Sequence, residues 1–211
     1  MRSAAKVEPV ETVRSFIAIE LPEDVKETLR QMLEELRPLR FVKWAGPQGV
    51  HLTLKFLGNV PTPKLALVET AMRQVAAGAT PFDLEASELG AFPDLRRPRV
   101  AWVGVKGEVG KMLDLQKDLE QALAPLGFAP EARGFSPHLT LGRVREQVSL
   151  PDRQRLGDAL ARLAMGRASH IPVKALSLIK SQLTPRGPIY SLLASAPLGE
   201  TGLTQNERSN P

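Results

Sequence analysis

Apolar side chains recur along this chain with two different periods, and each period predicts a different element. Strict alternation, as in RSFIAIEL at 14–21, is typical of a strand with one buried face. Recurrence at every third or fourth position, as at Val25, Leu29 and Met32, is typical of an amphipathic helix. The two patterns predict strands at 14–21, 50–57, 82–89, 99–105, 138–144, 171–183 and 189–196, and helices at 22–36, 62–78, 109–123 and 151–165.

The order of these elements repeats. In each half of the chain, a strand that contains a histidine follows one helix and precedes another, at 50–57 and at 138–144. The repeat predicts an α+β protein of two similar lobes, in which one histidine strand from each lobe lines a shared groove. No Pro/Gly/Ser linker separates the halves, so we expect one bilobal domain over 13–197. A flexible segment at 1–12 and a disordered tail at 198–211 would flank it.

The two histidine strands share the letters HLTL, at 51–54 and at 138–141, and together they use two of the three histidines of the chain. Residues i and i+2 share a face of a strand, so His51 and Thr53 point to one side, as do His138 and Thr140. By the same rule, Lys55 joins the face of His51. Two such strands side by side would supply two proton-transfer groups and two hydroxyl donors to one cleft.

The amino-acid composition excludes several kinds of site and of cellular location. The chain has no cysteine, which excludes disulfides, thiol nucleophiles and cysteine-based metal sites. Its net charge of +5 favours a polyanionic partner. It has no apolar run of the roughly 20 residues that a membrane-spanning helix needs, and no signal-peptide core. These features predict a cytoplasmic globular protein that does not associate with membranes.

Two histidines that titrate near neutrality can act as general base and general acid in one displacement, which suits the cleavage of a phosphoester. Threonine hydroxyls beside them can hydrogen-bond the phosphoryl oxygens as their charge shifts. The structural alternative, in which a backbone carbonyl satisfies each histidine, fits a single His-x-Thr better than it fits a matched pair. Neither motif has a second histidine or a carboxylate at i+2 or i+4, so we expect no metal site.

The stretches HLTLKFLG and SPHLTLGR resemble the two His-x-Thr-x signatures of the 2H phosphoesterase superfamily. They are most similar to its bacterial and archaeal branch, the RNA 2′,3′-cyclic phosphodiesterases, which are also called 2′–5′ RNA ligases. The resemblance covers about 14–197, including RSFIAI at 14–19, LGAFP at 89–93 and PRGPIY at 185–190. It implies a duplicated, pseudo-two-fold α+β fold, with two antiparallel sheets flanked by helices around a central cleft.

The resemblance also implies metal-independent hydrolysis of a terminal 2′,3′-cyclic phosphate of RNA to a 2′-phosphate, with no cofactor and with 2′–5′ ligation as the reverse reaction. His51 would protonate the departing 3′-oxygen, and His138 would activate water. Phe56 and Arg143 would stack on a base and bind phosphate. Strand alternation puts both of these side chains on the face opposite the histidines, unless a bulge at Gly142 re-aims Arg143.

Two other interpretations stay open. The same features fit an RNA 3′-end binding module with little turnover, and they fit a 2H phosphoesterase that acts on another cyclic phosphate or nucleotide. We expect RNA with a 2′,3′-cyclic phosphate end as the partner, with tRNA fragments as one candidate. We also expect a monomer, because a groove between two lobes is complete within one chain.

Overall fold

The computed structural model describes residues 10–199, apart from 133, 164–168 and 186. Most of the predicted flexible segment and most of the predicted tail therefore lie outside the described residues. The strands are β1 (Thr12–Ile19), β2 (Val42–Trp44), β3 (Leu52–Pro61), β4 (Phe82–Phe92), β5 (Val100–Gly107), β6 (His138–Val144), β7 (His170–Val173), β8 (Ala175–Thr184) and β9 (Gly187–Pro197). The helices are α1 (Glu23–Leu36), α2 (Thr62–Gly78), α3 (Val109–Leu123) and α4 (Leu150–Arg162).

Within the described residues, all nine strands belong to one antiparallel sheet. Its order is β7-β4-β5-β6-β3-β1-β8-β9, and β2 pairs with β6 beside this path. The order is symmetric about its centre, since β6 and β3 are the inner strands and β7 and β9 are the edges. The predicted α+β, pseudo-two-fold fold is confirmed. The two sheets of that prediction are joined into one through a single residue pair, Leu52 on β3 and Leu139 on β6.

The two halves of the sheet do not correspond to the two halves of the chain. After α2, the chain leaves β1 and β3 and forms β4 beside β5. After α4, it returns and forms β8 beside β1. As a result, β4 and β5 join β6 and β7 in one half of the sheet, whereas β8 and β9 join β1 and β3 in the other. Hydrophobic periodicity could not predict this exchange, because it shows which face of a strand is buried and not which strands are its neighbours.

One continuous apolar cluster packs between the helices and one face of the sheet. Leu29 of α1, Met72 of α2, Leu119 of α3 and Leu160 of α4 are almost completely buried in it, as the helical periodicity predicted. Phe16 and its neighbours form a second, small cluster on the other face of the sheet. All four helices therefore cover one face, and the opposite face of the central strands stays open.

The structure differs from the predicted elements at several places. The sequence pattern did not predict β2, because three residues are too few to show a period. β3 continues to Pro61, four residues beyond the predicted end at 57, and Gly58 has a positive φ of 69° within the strand. The predicted strand 171–183 is divided into β7 and β8 at Lys174.

The ends of the folded domain also differ from the prediction. β1 begins at Thr12, and the carbonyl of Glu11 accepts hydrogen bonds from the backbone and side chain of Thr62, so these residues belong to the fold. At the other end, Leu198 is buried and its N–H donates to the carbonyl of Lys174. α4 ends at Arg162, and the last part of the predicted helix, 164–165, lies outside the described residues.

Candidate active site

The single residue pair that joins the two halves of the sheet lies inside the two histidine motifs. Continued by one residue in each direction, its antiparallel register sets His51 opposite Thr140 and Thr53 opposite His138. All four side chains are half-buried, while the leucines between them are completely buried. The motifs therefore bring two imidazoles and two hydroxyls together at the centre of the open face.

A β-bulge interrupts the first motif. Consecutive residues of β1 pair with Thr53 and with Lys55, so Leu54 is the extra residue on β3. The extra residue reverses the alternation beyond it. Lys55 turns into the core and is 3% exposed, and Phe56 emerges on the open face and is 56% exposed. The predictions that Lys55 shares the face of His51, and that Phe56 lies on the opposite face, are therefore wrong.

The second motif carries a bulge at the equivalent leucine. Consecutive residues of β5 pair with Thr140 and with Gly142, so Leu141 is the extra residue on β6. As a result, Arg143 reaches the open face beside the motif, against the simple alternation of the strand. The bulge that could re-aim Arg143 is thus present one residue before Gly142, the position at which the sequence suggested it.

Gly142 allows β2 to lie close to this bulge. A Cβ atom on Gly142 would come within 2.6 Å of Cε3 of Trp44 and within 2.8 Å of Cγ1 of Val42, both on β2. Any side chain at this position would therefore push β2 away from β6. The close contact places Lys43, between these two residues, directly opposite Arg143.

A cleft of about 360 Å³ occupies the open face. Residues from both halves of the sheet line it, and they include five of the six candidates from the sequence: His51, Thr53, Phe56, Thr140 and Arg143. The sixth candidate, His138 at the start of β6, does not line this cavity but lies opposite Thr53. The bulges are the reason why the aromatic ring and the guanidinium share one cleft with the threonines.

His51 lies in an aromatic environment. Its ring stacks on Phe16, with 4.5 Å between the ring centroids, and the ring of Tyr190 meets it edge-on at 5.0 Å. Burial among these rings lowers the pKa of His51 from 6.5 to about 4, and a backbone hydrogen bond at Gly49 offsets part of that effect by favouring the charged ring. In the free protein at neutral pH, His51 is therefore uncharged.

His138 is oriented by the backbone. Its Nδ1 lies 2.7 Å from the carbonyl oxygen of Ser136, two residues earlier. A carbonyl can only accept, so Nδ1 carries the proton and, when the ring is neutral, Nε2 keeps a free lone pair. The ring of Phe92 meets His138 edge-on at 5.0 Å. Gly49 stands in the same relation to His51, so the carbonyl two residues before each histidine contacts its ring.

Three cations surround the cleft, and the sequence reasoning identified only Arg143 among them. Arg14 at the start of β1 and Lys43 on β2 also line it, and both are exposed. None of the described residues that line the cleft carries a carboxylate. Strand alternation could have identified Arg14, because it shares a face with Phe16 and Ala18, but nothing in the sequence showed that this face lines a cleft.

Beneath the first bulge, a buried ion pair holds the re-aimed lysine. Nζ of Lys55 lies 2.6 Å from Oε2 of Glu120 on α3 and 2.6 Å from the carbonyl oxygen of Ala129. The amide of Gln116 donates to the other carboxylate oxygen of Glu120, at 3.0 Å. This network connects the bulge of β3 to α3 and to the chain that leads towards β6.

Two further features bear on the kind of site. In the part of the chain that the structure describes, no group of three or more histidine, aspartate or glutamate side chains is close enough together to hold a metal ion. No helix among the described residues is both long enough and apolar enough to cross a membrane.

Comparison with known proteins places this arrangement in a family. The profile of the family described as "LigT like Phosphoesterase" matches the chain twice, over residues 19–102 and 103–190, once for each predicted half. Proteins named "RNA 2′,3′-cyclic phosphodiesterase" are similar to it. The one from Methanothermobacter thermautotrophicus is 35% identical, over 85% of this chain and 95% of its own. That from Aquifex aeolicus is 30% identical, over 90% of this chain and 100% of its own.

Solved structures show the same fold. A Thermus thermophilus protein superimposes with a TM-score of 0.73 at 28% identity, covering 89% of this chain and 99% of its own. E. coli LigT in complex with 3′-AMP also gives 0.73, at 25% identity, covering 90% of this chain and 100% of its own. The family profile matches each half of the chain, and the matches to the named relatives cover 95% and 100% of those proteins. Both findings agree with the resemblance that the two HLTL motifs indicated. The chain belongs to the LigT-like phosphoesterase family.

Proposed function

We propose that the chain hydrolyses a terminal 2′,3′-cyclic phosphate of RNA to a 2′-phosphomonoester by general acid–base catalysis with two histidines. The observation that carries this proposal is the register of the two motifs, which sets His51 opposite Thr140 and Thr53 opposite His138 where the two halves of the sheet meet. A cyclic phosphate seated there has an imidazole on each side and a hydroxyl beside each imidazole. The names of the curated relatives support the same activity and the same substrate.

His138 is the general base of this proposal. Its Nε2 lone pair accepts a proton from a water molecule as the water oxygen attacks phosphorus. The hydrogen bond from Nδ1 to Ser136 supports the assignment, because it fixes the tautomer that a base requires. The bond between phosphorus and the 3′-oxygen then breaks, and the phosphate stays on the 2′-oxygen.

His51 is the general acid, which gives its proton to the departing 3′-oxygen. A histidine with a pKa of about 4 is uncharged in the free protein, so it acquires its proton together with the anionic substrate. The negative phosphoryl group beside the ring favours the imidazolium, as opposite charges do, and a low intrinsic pKa makes that imidazolium a strong acid.

The remaining candidates bind the substrate. The hydroxyls of Thr53 and Thr140 donate to the phosphoryl oxygens, and Arg143 supplies a charge-assisted hydrogen bond to the same group. Phe56 offers a largely exposed ring on which the terminal base can stack. Lys43, opposite Arg143, adds positive charge to the phosphate site.

The test is incubation with a short RNA that ends in a 2′,3′-cyclic phosphate, with excess EDTA, followed by identification of the phosphomonoester. We expect a 2′-phosphate. His51→Ala and His138→Ala should each lose about 10²–10⁴-fold in rate, which is the usual contribution of one positioned acid or base. His170→Ala is the matched control, because His170 is exposed and pairs only with Asp83, at 2.8 Å, among the described residues.

Four results would contradict the proposal in different ways. A 3′-phosphate product would mean that the bond between phosphorus and the 2′-oxygen breaks. Complete loss of activity in EDTA would show that the reaction requires a metal ion. Tight binding of the RNA without any product would favour an RNA 3′-end binding module. Faster turnover of a different cyclic phosphate in a substrate panel would favour a relative with another substrate. Reversible 2′–5′ ligation, tRNA fragments as substrates, a monomeric state and a cytoplasmic location stay predictions.

A further inference from the structure

The charges around the cleft exceed what the reacting group needs. A 2′,3′-cyclic phosphate carries one negative charge, whereas Arg14, Lys43 and Arg143 bring three positive charges to a cleft whose lining has no carboxylate. None of the three forms an ion pair with a carboxylate among the described residues. Uncompensated cations facing one cavity indicate that more than one anionic group is bound there.

Two of the cations form one unit. Lys43 and Arg143 are directly opposite each other on β2 and β6. Like charges in this cross-strand position destabilise a sheet unless something neutralises them. Arg143 follows the second motif on the same strand, so this pair lies next to the phosphoryl group that the threonines would hold.

Arg14 lies in a different part of the cleft. It precedes Ala18, the partner of Thr53, by four residues of β1, which is about 13 Å of strand. Tyr190 lines the same cleft as Arg14 and Arg143, and its ring lies 5.5 Å from Phe16 and 5.0 Å from His51. Burial raises the pKa of its hydroxyl, and the charges of both arginines lower it. Around Arg14, the lining turns apolar, with Leu183, Pro188 and the exposed ring of Phe56.

We infer that Arg14, together with the Tyr190 hydroxyl, forms a second anion subsite that binds the phosphodiester on the 5′ side of the terminal nucleotide. The neighbouring apolar surface then packs against the penultimate nucleoside. The inference rests on the proposed function and specifies its substrate: an RNA end of at least two nucleotides, rather than a nucleoside cyclic phosphate.

The experiment compares two substrates: a nucleoside 2′,3′-cyclic phosphate, and a dinucleotide that ends in the same cyclic phosphate and has a free 5′-hydroxyl. They differ by one phosphodiester and one nucleoside. We expect the wild-type protein to show a higher kcat/KM on the dinucleotide. In Arg14→Gln, the ratio of the two kcat/KM values should fall about tenfold, mainly through KM, as is typical for the loss of one charge-assisted contact. Tyr190→Phe, which keeps the ring and removes the hydroxyl, should lower the ratio in the same direction.

Two controls make the result specific. Arg37→Gln removes an exposed arginine outside the cleft lining and should leave the ratio unchanged. A dinucleotide whose internal linkage is an uncharged methylphosphonate should lose the part of the wild-type preference that depends on charge and keep the part that comes from the second nucleoside. Arg14→Gln should not lower the kcat/KM for this uncharged dinucleotide. The slope of log affinity against log salt for the charged dinucleotide should decrease in Arg14→Gln by about 0.7, the value for one contact to a single strand.

Two outcomes overturn the subsite. If Arg14→Gln leaves both kcat/KM values unchanged, Arg14 contacts neither the phosphodiester nor the cyclic phosphate. If it lowers both values equally, Arg14 acts at the reacting phosphate. Failure of the proposed function gives a different result, because wild-type protein then hydrolyses neither substrate. In that case, calorimetric titration with the two corresponding 2′-phosphates tests the subsite independently, with the same expected change in the affinity ratio.

Discussion

The ring of His51 is separated from water by Phe16 on one side and by Tyr190 on another. This environment removes the charge from His51 in the free protein. Among the described residues, the aromatic contact of His138 is a single ring, Phe92, which meets it edge-on. Two identical tetrapeptides thus hold their histidines in different surroundings. The difference arises from the neighbouring strands, β1 and β9 for His51, and it is the physical basis for giving the two rings different roles.

The first prediction concerns the titration of His51. In the wild-type protein its ring should titrate near pH 4, and Tyr190→Ala, which opens one edge of the ring to water, should raise this pKa towards 6.5. Ring nitrogen chemical shifts measure both values, because the chain has only three histidines and His51→Ala identifies the curve that belongs to this residue. Phe92→Leu, which changes the surroundings of His138, should not move that curve. If His51 of the wild-type protein titrates near pH 6.5, burial between Phe16 and Tyr190 does not lower its pKa.

The second prediction is the effect of the same group on stability. Unfolded His51 takes up a proton near pH 6.5, but the folded protein does so only near pH 4. The unfolded state therefore binds more protons between these values, and the free energy of unfolding falls as the pH decreases through this window. The loss is on the order of 3 kcal/mol.

Urea denaturation at several pH values between 6.5 and 4 measures this loss. The matched variant is His51→Gln, which cannot titrate and should lack this part of the pH dependence. Equal pH dependence in the two proteins would show that burial does not suppress the charge of His51.

The sequence indicated candidate residues more readily than their surroundings. The scarcity of histidine and the i, i+2 rule selected His51, Thr53, His138 and Thr140 as candidates, and the register of β3 and β6 sets these residues opposite one another. Phe56 was assigned to the wrong face for a physical reason: a bulge needs one extra residue opposite a partner strand, and that residue looks like any other leucine in the sequence.

At the scale of the elements, the two bulges shape the cleft. They occur at equivalent leucines of β3 and β6, so each motif presents its histidine and threonine first and a third side chain after the bulge. The third side chain is aromatic in one motif and cationic in the other. The same backbone irregularity therefore brings an aromatic ring to the cleft on one strand and a guanidinium on the other.

The third prediction tests what holds the first bulge. Lys55→Met leaves the carboxylate of Glu120 buried without its partner, which should cost about 3–5 kcal/mol in the free energy of unfolding. In the double variant Lys55→Met/Glu120→Leu, no charge is left unpaired, so the loss should be clearly smaller than in the single variant. Chemical denaturation measures both values.

The control for the buried pair Lys55–Glu120 is an ion pair at the surface of the protein. Lys106 and Glu85 are 3.1 Å apart at the surface of β5 and β4, and Lys106→Met should change stability by no more than about 0.5 kcal/mol. If the double variant were as unstable as Lys55→Met, the cost would come from lost packing and not from an unpaired charge.

At the scale of the whole molecule, the two halves of the sheet meet at one residue pair but share one apolar cluster. The cleft lies on the opposite side of that junction. Its shape therefore depends on how firmly the cluster holds the two halves together, since the strand ladder contributes little at this point.

The fourth prediction follows from the shared cluster. Leu139→Ala removes a completely buried side chain at the junction and should cost about 2–5 kcal/mol. Unfolding should remain a single transition, with coincident curves from tryptophan fluorescence and far-UV circular dichroism. Amide exchange in β1 and β5, which lie on opposite sides of the junction, should accelerate together. Two separate transitions, or exchange that accelerates on one side only, would show that the lobes fold independently.

The strand exchange described for β4 and β8 limits how such a molecule can be divided. A chain that ends after β5 has β1 without β8 and β5 without β6, so it exposes open strand edges and cannot be a stable single unit. Two copies of one half could cover each other's edges by the same exchange. The topology is thus that of a strand-swapped homodimer within one polypeptide. Because the two copies of the tetrapeptide belong to one chain, they need not be followed by the same residue, and here the side chain after the bulge is Phe56 in one copy and Arg143 in the other.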